Sequence, residues 1–325
     1  MTTFPTDANV GRVCKLVVST GSQGLDLSEF RINFHVKAAD TQTPNMAYIR
    51  IYNLAPSTRA SIIQTCRSVL LQAGYTNNYG GIFQGNIIRF KQGKESNVDS
   101  YLDIIAADGD EGYNFGVISQ SFAAGSNTID HVYAIAAQMG INVDKSVATA
   151  LSNPMGATGG IQPRGTVLYG MGRALLTDIA RDHNARWSIQ NGTLIMVLNT
   201  GYLPGQAIVV NSQTGMIGIP EATDNGIQVQ IELNPLVQIG GLIQLNQDSI
   251  STYPNMSAGY LTDSTQVRGI APFYAATVST DGFYRIMAVE HEGDTRGGQN
   301  GLWSSDLICL AVDQTAPSVS SVQAS

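Results

Sequence analysis

The chain has 325 residues, enough for two or three domains at about 100 to 200 residues each. Hydrophobic residues make up 43% and charged residues only 13%, with 34 glycines against 11 prolines, which excludes a disordered chain and describes a folded, turn-rich one. A formal charge of −7 argues against tight nucleic-acid binding through phosphate contacts, because such binding draws its affinity from Lys and Arg.

Cys14, Cys66 and Cys309 are widely spaced and form no Cys-x-x-Cys pair, so they read as reduced buried thiols rather than a disulfide or a metal site. Met1 to Gly11 has no basic stretch leading into an apolar run, and no run of about 18 apolar residues exists to cross a membrane. The expectation is a chain without a signal peptide, folded in the cytoplasm, with no membrane insertion.

Residues alternate in strand fashion from Arg12 to Val18 and from Phe30 to Val36, with Phe30, Ile32, Phe34 and Val36 on one face. His35 falls on the opposite face and reads as a solvated strand residue. Met46 to Tyr52 is a further strand. A short helix over Thr58 to Arg67 follows, introduced by Pro56, which presets φ, and Ser57, which can cap free amides. Strands are then expected at Val69–Tyr75, Gly81–Ile87 and Ser100–Ala107. The last of these ends in Asp108-Gly109-Asp110-Glu111-Gly112, the most acidic spot in the chain. A calcium loop there would need oxygen ligands at its first, third and fifth positions and a bidentate Glu at its twelfth. Gly112 and Ser119 occupy the fifth and twelfth, so the reading is a plain acidic turn.

In the middle of the chain Asn127 can cap a helix with Ile129, Val132, Tyr133, Ala136 and Met139 on its buried stripe and Gly140 at its end, which leaves His131 off the stripe and solvated. After a Pro/Gly stretch from Asn153 to Gly165, the spacing of Leu168, Met171, Leu175, Leu176 and Ile179 predicts a second helix starting at Thr166, with Gly170 and Gly172 inside it. Asp182 and His183 close that helix. They do not form a catalytic dyad, because sequence neighbours do not share a helix face and no nucleophile motif accompanies them. Arg186 to Gln190 and Thr193 to Leu198 form a hairpin around Asn191-Gly192, a pair suited to the positive φ angles of a tight turn.

The stretch from Thr214 to Leu245 opens with Gly215-Met216-Ile217-Gly218-Ile219-Pro220-Glu221 and turns at Asp224-Asn225-Gly226. It then alternates through Ile227, Val229, Ile231 and Leu233, with Gln228, Gln230 and Glu232 in the polar frame. Beyond Asn234-Pro235 the frame resumes at Val237, Ile239, Ile243 and Leu245, predicting a second strand bent at Gly240-Gly241 and folded back on the first. A polar loop runs from Ser251 to Gly269. Two paired strands end the region, Gly282 to Thr295 and Trp303 to Leu310. His291-Glu292 lacks the second histidine of a zinc His-Glu-x-x-His motif, since residue 295 is Thr, so Glu290 to Asp294 reads as a hydrogen-bonded turn ending a strand. Asp313 to Ser325 is polar and reads as a flexible end or an arm that orders on a partner.

Several of these stretches carry a resemblance. Ile-x-Ile-Tyr-Asn-Leu with a short helix, Leu-x-Ala-Gly-Tyr and Ile-Phe-Gln-Gly-x-Ile stand in the first third. The run Leu-Leu-x-x-Ile-Ala with Trp-Ser-Ile-x-Asn-Gly stands in the middle. Gly-x-x-Gly-Ile-Pro-Glu, Gly-Gly-Leu-Ile-Gln-Leu and Tyr-Arg-x-Met-x-Val-x-His-x-Gly-Asp-Thr stand in the last third. In this order they resemble the baseplate central hub family of contractile-tailed bacteriophages, which is related to the N-terminal hub part of type VI secretion spike proteins. The resemblance implies a mainly β fold with an α+β insert. Two similar β-barrel domains would occupy residues 1–117 and 211–313, a helix-containing middle domain 118–210, and a flexible tail 314–325. It implies a structural virion protein of the tail baseplate, a homotrimer whose six barrels make a pseudo-hexameric ring between tail tube and spike, with tape-measure and wedge proteins as further neighbours. DNA would pass through the lumen, where acidic side chains would repel its phosphates. No catalytic, cofactor-binding or metal-ligating residue is expected.

Two rival classes remain at this level. A β-rich receptor-binding tail module would show aromatic-lined surfaces, against an aromatic content of 7% and a helical mid-section. A tail-associated peptidoglycan hydrolase would need two carboxylates flanking a glycosidic bond, and no motif brings two acids together.

Overall fold

The computed structural model describes residues 11–21, 23–152, 161–223, 226–245, 282–297 and 301–312. The polar loop Ser251–Gly269, the C-terminal tail, the Asp224-Asn225 turn and residues 153–160 of the Pro/Gly stretch lie outside these. The first third folds as β1 (Arg12–Ser19), β2 (Gly24–Asp26), β3 (Ile32–Ala39), β4 (Met46–Tyr52), α1 (Pro56–Thr65), β5 (Ser68–Tyr75), β6 (Asn78–Lys94) and β7 (Ser100–Ala107). The middle comprises α2 (Asp110–Phe115), β8 (Val117–Phe122), α3 (Thr128–Met139), β9 (Asn142–Val143), α4 (Lys145–Leu151), β10 (Thr166–Met171), α5 (Gly172–Asp182), β11 (Ala185–Gln190) and β12 (Thr193–Leu198). Beyond it come β13 (Ile208–Val210), β14 (Met216–Thr223), β15 (Gly226–Glu232), β16 (Leu242–Leu245), β17 (Phe283–Asp294) and β18 (Trp303–Ala311).

The mainly β class expected from the sequence holds, and its organisation is one large sheet. Strands follow the order β14-β15-β18-β17-β3-β4-β7-β6-β5-β1-β2, with β16 beside β17 and β13 beside β16. Among the described residues no ladder closes either half into a barrel. The halves instead join where Asn33–Ala39 of β3 runs antiparallel to Ala288–Asp294 of β17. Alternation explains the burial: Ile32, Phe34 and Val36 turn inward from β3, and Ile227, Val229 and Ile231 do so from β15.

Three clusters of apolar side chains form the core. The first holds Leu16, Phe34, Ile49, Leu71, Phe83 and Leu102, together with Leu233 and Trp303 from the last third. The second, in the insert, is built around Val132, Ile135, Leu176, Trp187 and Leu194. The third gathers Ile227, Val229, Ile243, Tyr284, Ile286 and Leu307. Each fully buried side chain of this size contributes about 1.5–3 kcal/mol from leaving water. Cys66 and Cys309 are buried free thiols, and Cys14 is a half-buried one whose pKa burial pushes up to about 12. No helix among the described residues is long and apolar enough to cross a membrane.

The structure corrects the sequence reading at several points. Thr166–Met171 is a strand, paired with Phe122–Val117, and the helix starts only at Gly172. Gly170 adopts φ +130°, which a helix interior does not use, and Thr166, Val167 and Tyr169 favour extended backbone. In α3 the buried residues are Thr128, His131, Val132, Ile135, Ala136 and Met139, so His131 is inside and Tyr133 outside. The stripe is rotated because Phe122 packs on the His131 ring at 4.3 Å between centroids and Ser126 Oγ lies 3.0 Å from its Nε2. Helix α1 begins two residues earlier than expected, with Pro56 in its first turn and Ala55 as an N-cap that makes no side-chain bond.

The strand expected over Val237–Leu245 is reduced to β16, and it pairs with β17 and β13 rather than folding back on β15. Gly240, at φ +81°, and Gly241 turn the chain away before it. Glu290 to Asp294 is no turn but the end of β17 itself, held between β3 and β18.

Candidate functional site

The seam between β3 and β17 brings polar residues together from opposite ends of the chain. Its register sets His35 opposite Glu292 and Lys37 opposite Glu290, while β18 sets Asp306 opposite Glu290. His35 Nε2 lies 3.0 Å from Glu290 Oε2 and 3.3 Å from Glu292 Oε1, and Lys37 Nζ donates to Glu290 Oε1 at 3.1 Å. The donor atoms of His35, Glu290 and Glu292 all lie within 4.8 Å of one another on the half-exposed face of the sheet. Burial tends to raise the Glu290 pKa, but hydrogen bonds from His35 and Lys37 outweigh it and hold the carboxylate below its ordinary range. Asp306 is pushed up, first by burial and then by the charge of Glu292. His35 is thus a paired residue rather than the freely solvated one expected. Sequence reasoning missed the cluster because His35 stands 255 positions from Glu290 and no local motif links them.

One residue along the strand, the side chain points the other way. His291 is buried, with Nδ1 2.7 Å from Ser305 Oγ, and burial lowers its pKa to about 4, so the ring is neutral. It shares no ligand geometry with Glu292, which faces the opposite side of the sheet. Past the strand end, Arg31 donates to Asp294 Oδ1 at 3.3 Å and Oδ2 at 2.7 Å, and the Ile32 amide donates to Thr295 Oγ1 at 2.9 Å. The Gly-Asp-Thr motif therefore ties the last third of the chain to the first.

The acidic turn has a packing role as well. Asp108 is buried and accepts hydrogen bonds from the backbone amides of Asn191 and Gly192, the second at 2.8 Å. Burial raises its pKa to about 6 against the pull of those two amides. The Asn191-Gly192 turn, at φ 52° and 73°, is thereby docked on the end of β7. Beside it, Asn45 Nδ2 donates to Ile189 O at 3.0 Å. Arg285 Nη1 donates to the carbonyls of Leu198, Asn199 and Gly201, and its guanidinium lies 3.6 Å from buried Asp40. These bonds hold the insert against the sheet. Asp110 falls at the start of the six-residue α2 and bonds Asn114. His183 is buried at the C-cap of α5, and among the described residues no hydrogen bond joins it to Asp182.

The insert also presents an uncharged outer face. Register places Val117, Ser119 and Ser121 of β8 against Met171, Tyr169 and Val167 of β10, and Val167 and Tyr169 are 70% and 78% exposed.

These features describe a scaffold of paired strands with polar seams, and comparison with known proteins agrees. A family model described as baseplate hub gp41 matches residues 13–249. No curated protein sequence matches the chain. The fold is similar to that of the 43 kDa tail protein of prophage MuSo2 from Shewanella oneidensis, with a TM-score of 0.56 and 7% identity over 94% of this chain and 100% of that one. It is also similar to the tail protein from Neisseria meningitidis MC58, with a TM-score of 0.53 and 10% identity over 92% of this chain and 96% of that one. The family match covers well over half of the residues, and the chain belongs to the baseplate hub gp41 family of phage tail proteins.

Proposed function

We propose that the protein is the central hub of a phage tail baseplate, a homotrimer in which each chain supplies two barrel-like units to a pseudo-six-fold ring joining tail tube to spike. The observation that carries this reading is the match to the hub family along residues 13–249. It is supported by two β cores, one on either side of the β3–β17 seam, with the insert packed between them in the sequence. In this reading residues 1–117 and 211–313 are the ring units and 118–210 is a spacer domain. The exposed apolar face of β8 and β10 is area that a neighbouring subunit or tail protein can dehydrate. Where the acidic side chains behind the formal charge of −7 per chain face the lumen, they repel phosphates and let DNA pass without adhering. Tape-measure and wedge proteins are the further neighbours in the assembled virion. The family is a structural tail component, which supports a role without covalent chemistry.

Light scattering on the purified chain tests the assembly. The expected mass is three times the 34.6 kDa of one chain. A single-chain mass that persists at high concentration and in the presence of the spike protein overturns the ring.

A further inference from the structure

We propose that His35, Glu290 and Glu292 form a binding site for a divalent transition-metal ion, zinc fitting best, that clamps β3 to β17 at the seam of the sheet. The donor set is one imidazole nitrogen and two carboxylates, which suits zinc and its neighbours and is too nitrogen-rich for a site built for magnesium or calcium. Around an ion bound at about 2.0–2.2 Å, donors at tetrahedral or octahedral angles lie roughly 3.0 to 3.5 Å apart. His35 Nε2 already stands 3.0 Å and 3.3 Å from its two carboxylate partners, so an ion can replace the proton between them with small side-chain shifts.

The backbone is set for this. β3 is held by β4 on its far side and β17 by β18, so the donors project from central strands rather than loops. Lys37 does not block the site, because it binds Glu290 Oε1 while Oε2 faces His35. The face also carries an excess of negative charge. Glu290, Glu292 and Asp306 share it with a single lysine, Lys37, so a further cation is attracted there. Half-exposure leaves the solvent side open for water to complete the coordination. The ion would join residues of the first and last thirds of the chain, and the proposal stands whether or not the chain forms a ring.

The test uses the full chain after chelator treatment, titrated with zinc chloride by calorimetry and with cobalt(II) by visible spectroscopy. One zinc per chain with micromolar affinity is expected, with a rise in melting temperature. His35→Gln and Glu292→Gln should each weaken binding by at least the roughly 10-fold that loss of an outer-shell partner costs. Cobalt should show visible bands of nitrogen and oxygen ligation. No saturable binding at millimolar zinc overturns the site, as does affinity unchanged in both variants. If a variant fails to fold, the wild-type cobalt spectrum decides: nitrogen and oxygen bands uphold the site, and a thiolate charge-transfer band or no bands overturns it.

Discussion

His291 is held neutral by burial, with a pKa of about 4 against 6.5 for a free imidazole. Between those values the unfolded chain binds a proton that the folded chain refuses. The stability contributed is complete above pH 6.5 and is lost as pH falls toward 4, by about 3 kcal/mol in all. Asp108 works in the opposite sense. Its pKa is raised from 3.8 to about 6, so the folded state retains a proton that the unfolded state has released, and stability falls as pH rises through that window. The two effects overlap, and a raw melting curve against pH mixes them. Subtracting the profile of His291→Gln from that of the wild type isolates the histidine, and the difference should shrink from pH 7 to pH 4. A flat difference would show that the ring is not buried neutral. At this scale the sequence was a poor guide. Local pattern places His131, His291 and Asp108 in turns or solvent, because burial of a polar side chain depends on partners such as Ser126, Ser305 and the Asn191-Gly192 amides. Those partners are met only after folding.

Elements were read better where a local signal had no competitor. The cap at Asn127 and the stop at Gly140 are visible in the sequence, and the structure adds a reciprocal capping box between Asn127 and Asp130 and a left-handed backbone at Gly140. Replacing Asn127 by Ala should cost about 1 kcal/mol of unfolding free energy, read from the shift in the urea denaturation midpoint, and Asn127→Ser should recover most of it. The β15 strand and the β11–β12 hairpin were likewise legible, from strict alternation and from an Asn-Gly turn. Errors came where two signals overlapped. Leu168 and Met171 continue the helical spacing of α5, yet Thr166–Met171 completes a two-stranded ladder with β8, and the left-handed backbone at Gly170 settles it as a strand. The run from Val237 to Leu245 alternates like a strand, but the turn at Gly240 leaves only its last four residues as a regular strand.

Across the whole molecule the two halves of the sheet are coupled rather than autonomous. Trp303 of β18 stands edge-on to Phe34 at 5.4 Å and donates from Nε1 to Gly74 O, so a residue of the last third completes the core of the first. The seam at β3 and β17, the Arg31–Asp294 pair and Leu233 add to that link. Calorimetry should therefore record both halves melting in one transition, with Trp303→Leu lowering its midpoint without splitting it. Two separate transitions in the wild-type chain would contradict the coupling. What the sequence by itself determined was the β-rich class, most strand positions, the insert's helix–hairpin content and the hub family, because alternation, caps, turns and family motifs are properties of neighbouring residues. Tertiary structure alone decided that the strands of the first and last thirds join in one continuous sheet and that His35 meets Glu290 and Glu292 across it. It also decided which polar residues lie inside, since strand pairing acts between segments far apart in the chain and leaves no local pattern to read.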